Sequence, residues 1–463
     1  MARGEKKENM TLEERLQEAL VPDWEQPYKV PENWCWTRMQ EIAQWGSGGT
    51  PSRKIPEYYN GDIPWIKTGE LNDNYIFETE EHITQKAISH SSAKIFPLNT
   101  VAIAMYGATI GKVGILGIPA ATNQACACGI VYSSTNYKYL FYYACSQKNH
   151  FIKKGKGGAQ PNISQEIIKS HEFPLPPLLE QQRIVDRIES LFAKLDEAKQ
   201  KAQDTLDSFE IRKAAILHKA FTGKLTARWR KEHGVRLSSW KNLTLNDVAE
   251  YKKGPFGSSI TKAMFVPKGN NTYKVYEQGN AIRKTIEYGH YYISEQKYLE
   301  LKTFSVNGGD IIISCAGTIG EVFKLPDNCE RGIINQALMR VRIFPNIEEQ
   351  FFIYYFGEIL KGDVIDKANG TAIKNIPPFK ILKAMRIDLP PFPEQIEIVR
   401  ILDGLLAKEQ QAREAAEVVM EQIDLIKKSI LVSAFRGELN TNDPAEESSV
   451  ELVRQILEKG DEK

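Results

Sequence analysis

The chain carries the same long pattern twice, and this repeat constrains its fold more than any other feature. In each copy a Leu-Pro-Pro sequence leads into Glu-Gln, then into a long helical pattern, and then into Ala-Phe-x-Gly-x-Leu. The first copy runs from Leu175 to Leu225 and the second from Leu389 to Leu439. A unit duplicated within one chain predicts a molecule with pseudo-two-fold symmetry.

Shorter matches extend the repeat into the regions that precede each long helical pattern. Ala108-Thr109-Ile110-Gly111 matches Gly317-Thr318-Ile319-Gly320, and Asn123-Gln124-Ala125 matches Asn335-Gln336-Ala337. Each copy is therefore a globular part of about 150 residues followed by a helix of about 40 residues. We call the globular parts head 1 and head 2. The predicted boundaries are an N-terminal extension with a short helix at 1–33, head 1 at 34–178, a helical region at 179–235, head 2 at 236–391, a second helical region at 392–440 and a C-terminal tail at 441–463.

Each head combines short apolar runs with longer apolar stretches. Val101–Tyr106 and Asp310–Cys315 are apolar runs closed by glycine turns, which is the pattern of buried strands. Tyr139–Ser146 and Gln350–Lys361 are long enough and apolar enough to form packed helices. We therefore predict that each head is an α+β domain with a strongly bent sheet.

The two long patterns predict helices that pack along each other. Both begin after a Pro-Pro pair with a glutamate in the first turn, and both end at a glycine suited to a left-handed cap, Gly223 and Gly437. The apolar positions alternate in steps of four and three residues, which predicts a coiled-coil seam. The seam residues are Ile184, Ile188, Leu191, Leu195, Ala198 and Ala202 in the first helix, and Ile398, Leu402, Leu405, Ala412, Ala416 and Val419 in the second. The alternative is two amphipathic helices that each lie on their own head.

Chain connectivity sets the relative direction of the two helices. The first helix leads into head 2, and head 2 leads into the start of the second helix, so the helices must run antiparallel. The predicted fold class is α+β, with two pseudo-two-fold-related globular heads separated by an antiparallel coiled coil of two long helices. A helix of about 40 residues is about 60 Å long, so the pair would act as a stiff spacer. We also expect the tails, 1–33 and 440–463, to meet near head 1.

Composition limits the classes of function that remain. The chain has 60 Lys and Arg against 59 Asp and Glu, a formal net charge of +1, which argues mildly against a DNA binder that works alone. A partner subunit could supply much of the phosphate contact. The six cysteines are scattered, so we expect reduced thiols and no metal site. No apolar run approaches the length of about 18 residues that a membrane helix needs, and we expect a cytoplasmic protein.

Two heads on one spacer suit a target that also comes in two halves, and duplex DNA is such a target. The heads share their scaffold motifs but differ strongly in their loops. Residues 46–53 of head 1 read Gly-Ser-Gly-Gly-Thr-Pro-Ser-Arg, whereas residues 253–259 of head 2 read Lys-Gly-Pro-Phe-Gly-Ser-Ser. A shared fold with different loops predicts an asymmetric, bipartite target with an unread gap.

These motifs together resemble the specificity subunit of type I restriction-modification enzymes. The resemblance rests on the Leu-Pro-Pro…Glu-Gln helix start, the Ala-Phe-x-Gly-x-Leu helix end and the duplicated Gly/Ala-Thr-Ile-Gly turn, which recur in order in both halves. It implies two target recognition domains that alternate with helical conserved regions, and a chain without catalysis of its own. It also implies two methyltransferase (modification) subunits and translocase–nuclease (restriction) subunits as partners, which would carry the S-adenosylmethionine, ATP and Mg sites. This chain would then need no cofactor.

Polar loop residues are the candidates for DNA contact, because arginine, lysine and small hydroxyls suit base edges in the major groove. The base-reading candidates are Ser47, Thr50, Ser52, Arg53, Lys67, Thr68, Glu70 and Asn72 in head 1, and Ser258, Ser259, Lys262, Gln278, Asn280 and Arg283 in head 2. The candidates for phosphate contact are Lys153, Lys154, Lys156, Lys367 and Lys374, since phosphate contacts position a protein without reading sequence. For every one of these residues the alternative is a solvated loop or surface side chain.

Two other classes of function stay open at this point. One is a self-contained DNA-modifying enzyme, although no Asn/Asp-Pro-Pro-aromatic motif of an amino-methyltransferase, no helicase motif and no nucleophile–base pairing is evident. The glycine turn at 107–112 has neither the spacing nor the hydroxyl of a phosphate loop, and the second copy has Glu321 in place of Lys112. The other class is a scaffold that holds two partner subunits apart without reading DNA.

Overall fold

The computed structural model describes residues 10–155, 161–359 and 378–460. By its internal contacts the chain divides into two compact units. Unit 1 comprises residues 1–202 and 418–463, and unit 2 comprises residues 203–417. The predicted boundaries follow the sequence repeat, whereas this division cuts both long helices, so each unit contains one head together with part of each helix.

Unit 1 is built on head 1 and on the segments that pack against it. Its strands are β1 (Cys35–Arg38), β2 (Ala43–Ser47), β3 (Tyr59–Ile66), β4 (Asn74–Ile76), β5 (His82–Ile83), β6 (Ile95–Phe96), β7 (Val101–Ala104), β8 (Val113–Leu116), β9 (Ala120–Thr122), β10 (Cys126–Val131) and β11 (Glu172–Leu175). Its helices are α1 (Leu12–Ala19), α2 (Met39–Ile42), α3 (Gln85–Ser89), α4 (Tyr137–Ser146), α5 (Lys148–Lys154) and α6 (Gln165–Lys169), and α7 (Leu178–Asp207) begins here.

Unit 2 repeats this order on head 2. Its helices are α8 (Phe209–Phe221), α9 (Ala227–Glu232), α10 (Leu245–Val248), α11 (Gln278–Arg283), α12 (Glu295–Glu300), α13 (Glu349–Tyr354), which continues as a π-helix (Tyr355–Ile359), and α14 (Phe379–Ala384). Its strands are β12 (Lys241–Thr244), β13 (Ala249–Lys253), β14 (Thr272–Tyr276), β15 (Tyr292–Ser294), β16 (Ser305–Val306), β17 (Ile311–Ser314), β18 (Val322–Lys324), β19 (Gly332–Ile334), β20 (Leu338–Ile343) and β21 (Arg386–Leu389). The helix α15 (Phe392–Phe435) begins in unit 2 and ends in unit 1, where α16 (Val450–Gly460) follows.

The predicted α+β class is confirmed, but the described residues of each head form three hydrogen-bonded sheets where we predicted one strongly bent sheet. Head 1 has the strand orders β1-β11, β2-β10-β7-β8-β4 and β5-β3-β9-β6. Head 2 has β12-β21, β13-β20-β17-β18 and β15-β14-β19-β16. The two heads therefore share a topology, and β4 is the one strand of head 1 that the described part of head 2 does not match.

The repeated Asn-Gln-Ala motif explains why the sheet divides. It lies between β9 and β10 in head 1 and between β19 and β20 in head 2, and these neighbouring strands belong to different sheets. The side chain of Asn123 accepts from the N–H of Ala125 at 3.2 Å, and Asn335 accepts from Ala337 at 3.0 Å. This local asparagine turn redirects the chain from one sheet to the next.

A tryptophan and a glutamate hold each long helix to its own head. In unit 1 the indole Nε1 of Trp34 donates to the carboxylate of Glu180 at 2.7 Å, and in unit 2 that of Trp240 donates to Glu394 at 2.9 Å. Both carboxylates are fully buried. The first-turn glutamate of the sequence pattern is therefore a buried hydrogen-bond acceptor that recurs once in each unit.

The glutamine that follows makes a second repeated contact. Gln181 accepts from the backbone N–H of Asn136 at 2.7 Å, and Gln395 accepts from that of Glu348 at 2.7 Å. Asn136 and Glu348 are the N-cap residues of α4 and α13. The Glu-Gln motif thus joins the start of each long helix to a packed helix of its head.

The long helices run antiparallel where they pair within each unit, as predicted. In unit 1 the ammonium of Lys427 lies 2.5 Å from Asp196, and that of Lys199 lies 3.9 Å from Asp424, so the partner number falls as the residue number rises. In unit 2 the guanidinium of Arg212 lies 2.8 Å from the carboxylate of Glu409, the residue that interrupts the apolar stripe of the second helix.

The predicted seam positions of the first helix are buried or half-buried, whereas two of those predicted for the second helix are exposed. Ala412 and Val419 are exposed, whereas Arg413 and Met420 are half-buried. The buried stripe of α15 steps through Leu405, Glu409, Arg413, Ala416, Met420 and Ile423. This series begins with two successive four-residue steps, whereas the predicted pattern alternates steps of four and three. The difference arises because a helix of 3.6 residues per turn drifts against a strict seven-residue repeat.

The first helix also differs from the single long helix that we predicted. It is divided at Ser208 into α7 and α8. The Ser208 hydroxyl donates to the carbonyl of Asp204 at 2.5 Å, a back-bond of the kind that bends helices. Both long helices end as predicted, since Gly223 and Gly437 adopt φ values of +74°.

The two tails meet in unit 1, as expected. Helix α1 packs against α16, and the guanidinium of Arg15 donates to the carbonyl of Leu457 at 2.6 Å. The backbone N–H of Ser449 donates to the carbonyl of Asn33 at 2.9 Å. Among the described residues, no helix combines the length and the apolar character needed to span a bilayer.

Candidate nucleic-acid interface

A shared hydrogen-bond frame shapes the loop that follows β3 in head 1. The backbone N–H of Lys67 donates to the carboxylate of Glu70 at 2.7 Å, and the N–H of Glu70 donates back to the Lys67 carbonyl at 3.0 Å. The carbonyl of Ile66 accepts from the N–H of Asn123 at 3.0 Å. These bonds anchor the loop to the sheet-switching asparagine.

The loop that follows β14 in head 2 has the same frame. The N–H of Glu277 donates to the side chain of Asn280 at 2.8 Å, and the N–H of Asn280 donates back to the Glu277 carbonyl at 2.9 Å. The carbonyl of Tyr276 accepts from the N–H of Asn335 at 3.0 Å. The equivalent positions are therefore Lys67 with Glu277, Thr68 with Gln278, Gly69 with Gly279, and Glu70 with Asn280.

In head 1 the carboxylate of Glu81, which the sequence did not reveal, links predicted base-reading residues from two different loops. The side chain of Glu81 lies 2.6 Å from the guanidinium of Arg53 and 2.9 Å from the ammonium of Lys67. The Arg53 guanidinium also lies 4.4 Å from the ring centre of Tyr59 and 5.2 Å from that of Trp65. Hydrogen bonds from Arg53 and then Lys67 lower the pKa of Glu81 to about 2, so this carboxylate is charged at neutral pH.

The other candidates of head 1 lie around this cluster. Thr50 and Ser52 are exposed in the loop after β2, and the Thr50 hydroxyl donates to the side chain of Gln124. Ser47 is half-buried at the end of β2, and Thr68 is half-buried beside Lys67. Asn72 is exposed and accepts from the ammonium of Lys112 at 3.0 Å.

Glu70 and Asn280 are corrected by the structure, because both side chains serve the loop frame. Asn280 is fully buried; its amide donates to the carbonyls of Thr285 at 3.0 Å and Tyr288 at 2.9 Å. Its hydrogen-bonding groups are therefore satisfied inside the head, and no surface remains for a base. In head 1, Glu70 also accepts from the hydroxyl of Thr79 at 2.5 Å.

The remaining candidates of head 2 lie in three places. Ser258 and Lys262 are exposed in the loop after β13, and Ser259 is half-buried there. Gln278 donates to the carbonyl of Ala316 in the glycine turn that joins β17 to β18, so its amide is tied to that turn. Arg283 is exposed at the end of α11, and its guanidinium lies 4.7 Å from the ring centre of Tyr288.

The candidates for phosphate contact can be placed only in part. Lys153 and Lys154 are exposed on the last turn of α5. Lys156, Lys367 and Lys374 lie outside the described residues. The positive charges of Lys153 and Lys154 suit phosphate oxygens, and this role stays a prediction.

Only a partial signal for the residues that were missed was present in the sequence. Glu81 follows Glu80 in a run of acidic residues, and the sequence does not show which of them faces Arg53. Glu277 stands at the position of Lys67, but this equivalence becomes visible only when the shared hydrogen bonds align the two loops.

The two heads share one loop frame but differ in their polar loops, and the chain also has two long antiparallel helices. These features define a class of two-headed recognition proteins. The family model for the type I restriction modification DNA specificity domain matches this chain twice, at residues 31–206 and 238–417. The chain belongs to this family. The two matches correspond to the two copies of the repeat.

Some known members of the family match part of this chain at higher sequence identity, and others match nearly all of it at lower identity. The chain is 33% identical over 157 residues to the type I restriction enzyme EcoR124I/EcoR124II specificity subunit of Escherichia coli, and 34% identical over 188 residues to the MjaIX specificity subunit of Methanocaldococcus jannaschii. These matches cover 33% and 40% of this chain, and only 39% and 43% of the two relatives. The EcoKI specificity subunit of Escherichia coli is 22% identical over 442 residues, which is 90% of this chain and 92% of that one.

A solved structure shows the same fold. The crystal structure of the HsdS subunit from Thermoanaerobacter tengcongensis aligns with a TM-score of 0.64 and 20% sequence identity, and covers 89% of this chain and 99% of that one. A second structure, from work on complex assembly and conformational transition of the type I restriction-modification system, aligns with a TM-score of 0.64 and 19% identity over 89% of this chain.

Proposed function

We propose that this chain selects an asymmetric, bipartite DNA target, with one half-site read by each head. The proposal rests on one observation: the two heads share the same loop hydrogen bonds but carry different polar side chains there. Head 1 presents Arg53 and Lys67, whereas the matching loop of head 2 has Glu277 in place of Lys67. Identical heads would select a symmetric site, and heads with different polar groups at equivalent positions select different bases.

The chain acts as the recognition component of a larger assembly and performs no catalysis itself. It directs two methyltransferase subunits and the translocase–nuclease subunits to the target, and these partners hold S-adenosylmethionine, ATP and Mg. The names of the relatives support this role, since each is the specificity subunit of a type I restriction enzyme. The balanced charge of the chain supports it as well, because partners can contribute phosphate contacts.

Selection of DNA from a randomised duplex pool tests the proposal. We expect the full chain, assembled with its modification subunits, to enrich two dissimilar half-sites at a constant spacing. Arg53→Ala should relax selection at one base pair of one half-site, since a well-placed arginine contact contributes about 1–3 kcal/mol of discrimination. Arg228→Ala is the matched control, because Arg228 is an exposed arginine on α9 that pairs with Glu232.

Two results would favour the alternatives. Methyl transfer to DNA by the purified chain and methyl donor, without any partner, would indicate a self-contained enzyme. Loss of partner assembly in Arg53→Ala, with the selected sequence unchanged, would indicate a scaffold that does not read DNA. Mapping methylated positions in the host genome with the chain present and absent gives an independent measurement of the target.

A further inference from the structure

The loop frames place opposite charges at one equivalent position of the two heads. Lys67 and Glu277 each directly follow a central strand, and each donates its N–H to the side chain three residues later. Because the backbone geometry is shared, the difference between the two heads at this point is the side chain. A cation in head 1 corresponds to an anion in head 2.

The surroundings of the two side chains also differ. The ammonium of Lys67 lies 2.9 Å from Glu81 and 3.3 Å from Glu80. In the described part of head 2, by contrast, no side-chain donor is hydrogen-bonded to the carboxylate of Glu277. The electrostatic influences on its pKa come from Lys274 and His290.

Glu277 lines an open cavity of about 650 Å³ in head 2. Arg283, Tyr288, Gly289 and His290 lie on the same walls. Gly289 leaves space for the Glu277 carboxylate, because a Cβ at position 289 would lie 2.6 Å from Glu277 Oε2. Gly289 also has a φ of +83°, which favours glycine. The local fold therefore leaves room for a carboxylate that faces an open cavity.

Burial raises the pKa of Glu277, although the neighbouring Lys274 and His290 act in the opposite direction. A partly buried carboxylate without a side-chain donor loses free energy of solvation, and a ligand that brings a hydrogen-bond donor restores it. In the major groove, the groups that a carboxylate can accept from are the amino groups of cytosine and adenine.

We propose that Lys67 and Glu277 are specificity-determining residues at equivalent positions, and that Glu277 selects a base with an exposed amino group. Lys67, together with Arg53, selects the acceptor edge of guanine in the other half-site. Glu277 also rejects guanine O6 and thymine O4, because two acceptors would then face each other without a proton between them. This assignment rests on the proposed function and deepens it.

The test uses the full chain assembled with its modification subunits and a randomised duplex pool. Glu277→Lys should move the preference at one base pair towards guanine and leave the half-site read by head 1 unchanged. Glu277→Ala removes the acceptor, and should weaken the wild-type preference for an amino group about tenfold. Lys67→Glu should alter one base pair of the other half-site only. Glu295→Ala is the control, because Glu295 is an exposed glutamate at the start of α12 in the same head.

Base analogues separate cytosine from adenine in the selected site. At the affected base pair, we replace cytosine by 2-pyrimidinone or adenine by purine, which removes the amino group. Binding by the wild-type chain should fall about tenfold with one of these analogues, and binding by Glu277→Ala should fall much less. An equal loss with both proteins would overturn the assignment.

Other outcomes also decide the question. An unchanged consensus in Glu277→Lys, or an equal loss across both half-sites, would refute the role of Glu277 while leaving two-headed recognition intact. A wild-type chain that enriches no sequence would refute the proposed function itself. Circular dichroism and thermal unfolding of each variant show that the heads remain folded, and Glu277→Ala provides the result if Glu277→Lys unfolds.

Discussion

At the scale of single residues, polar groups that recur in both heads build the scaffold. The Trp34–Glu180 contact of unit 1 returns as Trp240–Glu394 in unit 2 with almost the same length. Burial raises the pKa of Glu180, and the hydrogen bonds that it accepts oppose this effect. Polar residues that differ between the heads, such as Lys67, lie instead at the loops that we propose to face DNA.

A buried histidine of head 1 gives unit 1 a predicted dependence on pH. His171 lies against the rings of Tyr143, His150 and Phe151, and its Nε2 atom has no hydrogen-bond partner. Burial lowers the pKa of His171 to about 3, with the nearby His150 and Lys154 acting in the same direction. The folded state therefore keeps this ring neutral, whereas the unfolded state protonates it near pH 6.5.

His171→Phe should remove this dependence. A histidine with a lowered pKa in the folded state contributes stability above pH 6.5, and this is lost as the pH falls from 6.5 towards 3. Over that range the wild-type free energy of unfolding should fall by up to about 1.4 kcal/mol per pH unit more than that of the variant. Denaturant unfolding at pH 7, 6 and 5, followed by tryptophan fluorescence, measures this difference. The exposed His90, changed to Phe, should keep the wild-type slope; equal slopes in all three proteins would contradict the prediction.

At the scale of elements, the second long helix shows how a seven-residue pattern loses its register. The stripe predicted from sequence matches the burial of α15 as far as Glu409, which pairs with Arg212. Beyond that point the buried face is displaced by one residue at two of the predicted positions. The guanidinium of Arg413 lies 5.2 Å from the ring centre of Phe209 and occupies the seam where Ala412 was expected.

Two alanines of α15 provide a matched test of the corrected seam. Ala416 is 6% exposed, whereas Ala412 is exposed. Ala416→Lys should destabilise the helix pair by about 2 kcal/mol, because it places a charged chain in a closed seam. Ala412→Lys should change stability by less than about 0.5 kcal/mol, as surface substitutions usually do. Thermal unfolding of both variants measures the difference, and an equal loss of stability in both would restore the seam predicted from sequence.

At the scale of the whole molecule, one chain builds two equivalent units by sharing its helices and its connecting segments. In unit 1 the buried Glu180 also accepts from Asn442, which follows the second helix. In unit 2 the buried Glu394 accepts from Thr226 and Arg230, which follow the first helix. The segment after each helix thus completes the unit in which that helix ends, and the C-terminal tail completes unit 1.

A change in helix length tests the proposal that the helices set the spacing of the half-sites. Four residues inserted after Ala202, with four at the matching place in the second long helix, add about 6 Å. We expect the unread gap to lengthen by about two base pairs, at about 3.4 Å per base pair, or binding to be lost. Selection from a pool with variable gap length measures this. Conservative substitutions at the same places serve as controls, and an unchanged gap would contradict the spacing role.

The sequence alone determined the repeat, the two heads, and the start, end and direction of the long helices. These features follow from local rules, since a Pro-Pro pair, a terminal glycine and an apolar period act within a few residues. Only the tertiary structure decided that Asn280 is buried, that Glu81 joins Arg53 to Lys67, and that the seam of α15 shifts. Each of these depends on which side chains, far apart in the sequence, come into contact in the folded protein. The order of residues along the chain does not give those contacts.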